Sequence, residues 1–359
     1  MTTVWCAPEA LERFVDGACR ALGAPPDVAA EVAHHLVGAN LAGHDSHGVL
    51  RLPWYAEQIA AGTIEPGARP ALVRESTCVA LFDGRRGFGH YATRLALEWT
   101  IEHARRAGIA AAAIRNFTHI GRLGEYAERG TGAGLVTVVT IGTAEPGGGL
   151  VTPFGGQERF LGTNPWAIGV PAAGRLPLIY DAATSTVAEG KVRVALAKGT
   201  SLPPDAILDR TGRPSQAPDD LYDGGMLLPL GGSVAGHKGY GFAMASALVG
   251  GLAMAATPLS GADGADGARI EGVLVLAMDP DAFGSGDTYT ERTAAVLDAA
   301  TRVSPAPGVA RVLAPGEPEA HTRAERARSG VPLPGPTWQA LGRLAARLRV
   351  ELPAARVED

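Results

Sequence analysis

Apolar residues recur at helical spacing over the first forty positions of the chain. From Leu11 to Leu22 they return every three or four residues, until a glycine and two adjacent prolines interrupt the pattern. Asp27 then stands where a helix N-cap is expected, before a second apolar stripe that runs from Val28 to Val37. The pattern predicts two consecutive helices.

After Pro66 the pattern changes to short apolar runs separated by glycine turns and by longer periodic stretches. It predicts strands at 79–82, 109–114 and 135–141, a helix at 92–107, and further alternation of strands and helices to about residue 281. Helical spacing then returns and predicts helices at 290–302, 318–329 and 337–348, with a short strand at 309–313. The simplest architecture is an α/β lobe inserted in a helical lobe that both chain ends build.

We therefore expect three segments: the N-terminal part of the helical lobe (1–70), an α/β lobe that binds cofactor and substrate (71–284), and the C-terminal part of the helical lobe (285–359). Small ligands usually bind in clefts between such lobes.

Composition is typical of a globular enzyme. Hydrophobic residues make up 46% and charged residues 19% of the 359 positions, without a repeat or low-complexity tract. The net charge of −5 offers no basic footprint for nucleic acid or anionic membranes. Cys6, Cys19 and Cys78 lack metal-binding spacing. These features, and the absence of a readable secretory signal, indicate a cytoplasmic protein without a structural metal, whose partners are small molecules and its own copies.

One segment has the length of a membrane span. The range 242–259 is apolar or small throughout and is long enough to cross a bilayer. However, it contains Gly250, Gly251 and Pro258 and lacks an aromatic belt or flanking positive cluster. We interpret it as a buried helix and expect no membrane contact.

The segment 43–53, which reads Gly-His-Asp-Ser-His-Gly-Val-Leu-Arg-Leu-Pro, carries the most specific chemistry. If it is helical, His47 and Arg51 lie one turn apart on the same face. Arginine can bind a carboxylate through two parallel hydrogen bonds, and histidine can transfer a proton near neutral pH. A 2-oxo acid reductase needs this pair. The alternative is a capped helix start with a surface arginine.

Two glycine-rich segments are candidates for phosphate binding. Residues 87–92 match GxGxxA between a strand and a helix, but no acidic residue follows the next predicted strand, so tight packing is favoured over a Rossmann fingerprint. Residues 236–241, Gly-His-Lys-Gly-Tyr-Gly, lead into the long apolar helix. A helix N-terminus beside Lys238 would bind an anion, although a turn with a solvated lysine would look the same.

Six segments, in order along nearly the whole chain, resemble the type 2 malate/L-lactate dehydrogenase-like family of NAD(P)-dependent 2-oxo acid reductases, and 119–126 is most similar to its hydroxycarboxylate dehydrogenase branch. The segments are 43–55, 114–130, 154–171, 181–192, 236–241 and 315–334. The resemblance implies a non-Rossmann fold of α/β (α+β) type with a mixed, largely antiparallel sheet. It also implies homodimers whose active sites lie near the subunit interface.

The resemblance also implies site residues. By position, His47 is the proton donor, Ser46 and Asp181 are its relay partners, and Arg51 binds the substrate carboxylate. Thr163, Asn164 and His119 line the substrate side. The cofactor-contacting residues implied are His119, Ile120, Gly121, Arg122, Leu123, Leu178, Ile179, Tyr180, Asp181, His237, Lys238, Gly316 and Glu317.

Some of these roles stay open. Asp181 is instead a turn or helix-cap residue in one interpretation, and His119 is the main acid in another. The chain also departs from many relatives: Glu189-Gly190-Lys191 replaces Arg-Gly-Lys, and 245–247 lacks a glutamate. These departures bear on substrate identity more than on reaction class.

The sequence thus predicts a homodimeric reductase that transfers hydride between NAD(H) or NADP(H), with NAD(H) favoured, and C2 of a 2-oxo or 2-hydroxy acid. Reduction of a cyclic imino acid at the same site is the closest rival. A metal-dependent hydrolase using His44, His47 and the His34-His35 pair lacks a carboxylate at ligand spacing. An inactive ligand-binding protein is disfavoured because His47 and Arg51 are both present.

Overall fold

The fold is described from a computed structural model that covers residues 2–255 and 268–358. The helices are α1 (Pro8–Ala21), α2 (Pro26–Leu41), α3 (Leu52–Ala60), α4 (Gly89–Ala107), α5 (Leu123–Gly132), α6 (Glu189–Lys198), α7 (Pro218–Tyr222), α8 (Gly232–Gly250), α9 (Gly286–Thr301), α10 (Glu317–Ser329) and α11 (Gly335–Leu348). The strands are β1 (Thr3–Cys6), β2 (Ala71–Glu75), β3 (Val79–Asp83), β4 (Ile109–Arg115), β5 (Val136–Ala144), β6 (Trp166–Val170), β7 (Leu178–Ala182), β8 (Ile207–Leu208), β9 (Pro214–Ser215), β10 (Met226–Leu227), β11 (Ile270–Met278), β12 (Val331–Pro334) and β13 (Ala355–Glu358).

The main sheet has seven strands in the order β2-β3-β4-β11-β5-β6-β7. The neighbours β3 and β4 are parallel, joined by α4, and the other pairs are antiparallel. A mixed, mostly antiparallel sheet is not a Rossmann sheet, so the predicted fold class is confirmed. Helices α4 and α5 pack on this sheet together with α8.

The largest hydrophobic cluster joins both ends of the chain. It contains buried side chains of α1, α2 and α3 together with Val331, Leu333, Leu341 and Leu344 near the C-terminus. The small sheet β12-β1-β13 lies at the same place and pairs β1 with two strands from the end of the chain. The segment 43–53 begins directly after α2, so this cluster supports the element from which it starts.

Two predicted elements differ in the structure. The strand predicted at 309–313 is wrong: the segment has no regular secondary structure, and Val309 is 50% exposed. Prolines at 305, 307 and 315 flank it and remove the backbone donors that a strand needs. The apolar helix predicted from 242 already begins at Gly232 as α8, and residues 256–259 of that prediction lie outside the described residues. Among the described helices, none is long and apolar enough to span a membrane.

Candidate active site

The segment 43–53 folds as two 3₁₀ turns, Asp45–His47 and Val49–Arg51, so the continuous helix under which His47 and Arg51 would share a face is not formed. Gly48 separates them with an extended backbone (φ −89°, ψ −156°). A Cβ at this position would lie 2.2 Å from Asn40 Oδ1, so a side chain does not fit there. The break follows from this contact with α2, which residue spacing alone does not reveal.

His47 and Arg51 are nevertheless brought together by the backbone between them. Arg51 Nε donates to the carbonyl oxygen of Ser46 at 2.7 Å, and Ser46 Oγ lies 3.1 Å from His47 Nδ1. Asn40 braces the segment because its Oδ1 accepts from Val49 N at 2.9 Å. His47 and Arg51 are therefore held close together across the two 3₁₀ turns.

His47 is a neutral imidazole in the free protein at pH 7. Burial, and the positive charges of Arg51, His44 and Arg122, hold the pKa of His47 at about 3. A negatively charged ligand on Arg51 would offset part of that positive field. The protonation state of His47 is therefore linked to what binds Arg51.

Behind His47 lies a chain of buried aromatic groups. The His119 ring stacks on the His47 ring with centroids 5.6 Å apart. The Tyr55 hydroxyl lies 2.7 Å from His119 Nδ1 and 3.3 Å from His90 Nε2. Because a phenol has one proton and the contact with His119 is shorter, we infer that Tyr55 donates to His119, which leaves the proton of His119 on Nε2.

Burial next to His47, His90 and Arg51 lowers the pKa of His119 well below its usual value, so His119 is a neutral hydrogen-bond donor. Sequence reasoning assigned no role to Tyr55, His90 or Asn40. The signal for Tyr55 was present, since it follows Arg51 by four residues and lies in the first turn of α3.

Asp181 contacts Gly124 and Arg122 instead of His47, the partner implied by the resemblance. Its Oδ2 accepts from the backbone N–H of Gly124 at 2.7 Å and lies 3.7 Å from Arg122 Nε, so the expected contact with His47 is not formed. Burial raises the pKa of Asp181 while the charge of Arg122 opposes that shift. Asp181 therefore caps the first turn of α5, which is the helix-cap alternative of the sequence analysis.

Three of the four cofactor-contacting segments implied by the resemblance come together. Ile179 N donates to Pro315 O at 3.1 Å, and Gly316, at φ +96°, approaches Ile179 so closely that a Cβ would lie 3.0 Å from its side chain. Asp181 joins this pair to the segment 119–124 through Gly124. Ile120 and Leu123 are core residues, so only their backbone groups are available to a ligand.

Arg122 has two N–H groups next to the assembled segments that form no hydrogen bond within the protein. The residue is 1% exposed, and although Nη1 donates to Glu128 at 2.8 Å, its Nε and Nη2 are buried without a hydrogen-bond partner. Buried donors without partners are rare and costly. Two such donors beside glycine-lined backbone fit an acceptor-rich group such as a dinucleotide.

The fourth segment, His237-Lys238, lies in the second turn of α8 instead of at its N-terminus, so its N–H groups belong to the helix. Gly239 is needed because a Cβ there would lie 2.1 Å from Leu230 O. Leu230 N in turn donates to Thr184 O at 2.8 Å, which sets this turn of α8 beside the continuation of β7. The side chains of His237 and Lys238 are exposed, so these two residues can contact a ligand through their side chains but not through their backbone N–H groups.

The Gly-Thr-Asn-Pro segment is a scaffold. Asn164 is 2% exposed, and its amide bonds Thr143 N and Thr143 O at 3.0 and 3.1 Å and Ala243 O at 3.0 Å. The carbonyl of Thr163 accepts from Thr184 N at 2.9 Å. The amide of Asn164 is fully used by the protein, so its contribution to a substrate site is to hold the loop in place.

The GxGxxA segment serves packing, as the sequence analysis favoured. Gly89 begins α4, and a Cβ there would lie 2.2 Å from Thr118 O and 2.7 Å from His119 O. This close contact positions His119.

A buried group has metal-ligating residue types: Glu31, His35 and Glu125. Arg129 Nη2 lies 2.8 and 2.9 Å from their carboxylates, and His35 Nε2 accepts from Arg122 N at 2.8 Å. The remaining His35 nitrogen must then carry its proton, so this group is an ion-pair network. Within residues 2–255 and 268–358, His44 and His47 of the rival hydrolase belong to no cluster of three metal-ligating groups; His44 contacts Glu319 at 3.3 Å.

Comparison with known proteins gives a consistent result. A sequence model described as "Malate/L-lactate dehydrogenase" matches residues 6–342. Hydroxycarboxylate dehydrogenase B of Escherichia coli is 34% identical over 337 residues, which covers 93% of this chain and 91% of the relative. A Δ1-pyrroline-2-carboxylate/Δ1-piperideine-2-carboxylate reductase of Pseudomonas syringae is 34% identical over 276 residues, covering 76% and 78%. The crystal structure of malate dehydrogenase from Entamoeba histolytica superimposes with a TM-score of 0.90 at 26% identity, covering 98% and 100%.

Proposed function

The chain belongs to the malate/L-lactate dehydrogenase family of oxidoreductases, and we propose that His47 and Arg51 are its catalytic pair for the interconversion of 2-oxo and 2-hydroxy acids. The observation that carries this proposal is the turn that ties Arg51 Nε to the Ser46 carbonyl and Ser46 Oγ to His47 Nδ1. It sets a carboxylate-binding group beside a proton-transfer group.

Arg51 binds the substrate carboxylate in this mechanism. Its Nε already donates to Ser46 O, so the two Nη groups remain for the ligand. Trp54 supports the guanidinium, whose central carbon lies 5.9 Å from the centre of the indole ring. A bound carboxylate would place the C2 oxygen of the substrate toward the imidazole.

His47 moves the proton. Its Nδ1 faces Ser46 Oγ, so Nε2 is the nitrogen available to the substrate oxygen. In the oxidative direction the neutral imidazole takes the hydroxyl proton, and in the reductive direction the imidazolium returns it. The carboxylate on Arg51 offsets the positive charge that lowers the pKa of His47, so substrate binding favours the protonated form. Ser46 orients the ring.

His119 lies on the other face of His47 and offers its Nε2–H as a neutral donor, fixed by Tyr55. We assign it to the substrate oxygen or the cofactor amide rather than to proton transfer, because Tyr55 occupies its Nδ1 and its Nε2 already carries the ring proton, so neither nitrogen is free to accept another.

Dehydrogenases of this family use a nicotinamide cofactor, which when bound donates or accepts a hydride. Within this chain we propose that it is held by His119 to Leu123, Leu178 to Asp181, His237 with Lys238, and Gly316 with Glu317, and that NAD(H) is preferred over NADP(H). Arg122 supports the cofactor site because its Nε and Nη2 have no hydrogen-bond partner. Glu317 is held by Arg175 at 2.8 Å and adds a carboxylate to this end of the site.

The test is a panel of 2-oxo acids assayed with NADH and with NADPH, following the loss of nicotinamide absorbance. We expect reduction of 2-oxo acids and lower KM for NADH. No turnover of any 2-oxo acid with either cofactor would contradict the proposal. The panel includes cyclic imino acids, because one of the relatives is named as a reductase of such compounds; turnover of these alone would make imine reduction the function.

We further propose a homodimer in the cytoplasm. The described part of α8 and the turn after it expose apolar side chains, with Leu248 54% and Leu252 58% exposed. A second copy covering this surface would bury them. We expect Leu248→Glu to give a monomer by sedimentation equilibrium. The control is Val296→Glu on α9, where Val296 is 66% exposed and the dimer should persist. A monomeric wild-type protein would contradict the dimer.

A further inference from the structure

The side chain of Glu189 faces Arg51, the residue that we propose binds the carboxylate of the substrate. Glu189 begins α6 and is 15% exposed, and its Oε2 lies 3.9 Å from Arg51 Nη2. The contact is too long for a hydrogen bond and short enough for strong charge interaction. Glu189 therefore borders the place that the substrate would occupy.

The fold fixes this carboxylate next to the catalytic turn. Gly190 follows Glu189, and a Cβ there would lie 2.3 Å from Ser46 Cβ, so the first turn of α6 packs against the neighbour of His47. The second oxygen, Oε1, accepts from Tyr222 Oη at 3.0 Å and from Arg193 Nε. Tyr222 and Arg193 thus orient Glu189 from the outer side, while Oε2 stays directed at Arg51.

The two arginines that flank Glu189 differ in their exposure to solvent. Arg193 is 60% exposed, so solvent screens its charge, whereas Arg51 is 18% exposed. A substrate carboxylate on Arg51 neutralises that arginine. Any second negative group on the same substrate then meets Glu189 without a compensating charge among these residues.

We propose that Glu189 determines substrate class: the site takes 2-oxo acids with one carboxylate and a neutral or hydrogen-bond-donating side chain, and it rejects dicarboxylic 2-oxo acids. The proposal rests on the proposed function of Arg51. The residue acts on specificity without taking part in proton transfer.

The experiment compares kcat/KM for acids of matched length: 2-oxobutyrate with oxaloacetate, and 2-oxopentanoate with 2-oxoglutarate. We expect the wild-type protein to prefer the monocarboxylate in both pairs. Glu189→Gln keeps shape and removes charge, so it should reduce that preference about tenfold, mainly through better use of the dicarboxylate.

Two further variants sharpen the result. Glu102→Gln removes a glutamate from an i,i+4 pair with Arg106 at 3.2 Å, the same kind of pair as Glu189 with Arg193, and should leave the preference unchanged. Arg193→Gln removes the outer positive charge and should increase the preference for monocarboxylates. It changes selectivity in the opposite direction to Glu189→Gln, which loss of folding would not do.

An equal gain for both acids in Glu189→Gln would show that Glu189 acts on Arg51 alone and would overturn the proposal. Wild-type preference for dicarboxylates would overturn it as well. Failure of the proposed function looks different, since the wild-type protein would then reduce neither class of 2-oxo acid.

Discussion

The turn around His47 and the early turns of α8 contain the same kinds of residues, a histidine, a basic side chain and glycines, but the fold uses them in opposite ways. Around His47 the polar groups are bound by the chain itself, through Ser46 and Asn40. On α8, Lys238 and His237 are exposed, and the glycines serve close packing on Leu230 and Phe154.

The comparison shows that the residue types determine which reactions a site can perform, whereas burial and hydrogen bonding determine whether the side chains are held ready or stay free for a ligand. The His47 turn is preorganised, and the surroundings of His47, the proposed proton-transfer group, lower its pKa. The side chains of α8 act only when another molecule reaches them. Mutations should therefore affect the chemical step in the first region and binding in the second.

The largest effect is expected from His47→Ala. Loss of the proton-transfer group should lower kcat about 10²- to 10⁴-fold with little change in cofactor affinity. Steady-state kinetics with cofactor titration measure both. The matched variant in the other region, His237→Ala, should leave kcat nearly unchanged. A comparable loss in His119→Ala with normal His47→Ala would reassign the general acid.

Arg51→Lys should come next. Lysine keeps the charge but loses the planar fork and the hydrogen bond from Nε to Ser46, so KM for the 2-oxo acid should rise about 10- to 100-fold. An unchanged KM in a variant of normal melting temperature would rule out the role.

The pH dependence tests whether burial sets the protonation of His47. A pKa of about 3 lies below neutrality, so kcat/KM for reduction, which needs the proton, should fall about tenfold per pH unit from about pH 5 to 8. Oxidation starts from neutral His47 and should be flat over this range. A reduction profile that is level up to pH 7 would contradict the low pKa in the free enzyme.

The smallest effect is expected in α8. Lys238→Ala should weaken cofactor binding about tenfold, equivalent to about 1 to 2 kcal/mol for one charge-assisted hydrogen bond.

Gly89→Val should act mainly on stability, because its side chain would overlap Thr118 O. Fluorescence quenching and melting temperatures distinguish the two. If Gly89→Val folds but binds no cofactor while Lys238→Ala binds it normally, residues 87–92 would be the phosphate-binding segment after all.

The sequence predicted the features that depend on local patterns. Periodicity located α1, α2 and β4, and residue types identified His47 with Arg51. Contacts between separate elements were not predictable: the break at Gly48 depends on Asn40 of α2, and the capping role of Asp181 depends on the N–H of Gly124. Lys238 was placed at a helix start because glycines suggested a turn, whereas they allow α8 to pack on Leu230. These three differences each depend on a contact with a residue outside the local pattern.

The small sheet β12-β1-β13 has a consequence for how the protein folds. Thr3 pairs with both Pro334 and Glu358, so the first strand has no partner until nearly the whole chain has been synthesised. Closing so long a loop costs conformational entropy before the paired strands repay it, and contacts of this kind slow folding. On a ribosome, the cluster that supports α2 and the His47 turn is therefore completed last. The enzyme should therefore gain activity only after β12 and β13 have left the ribosome.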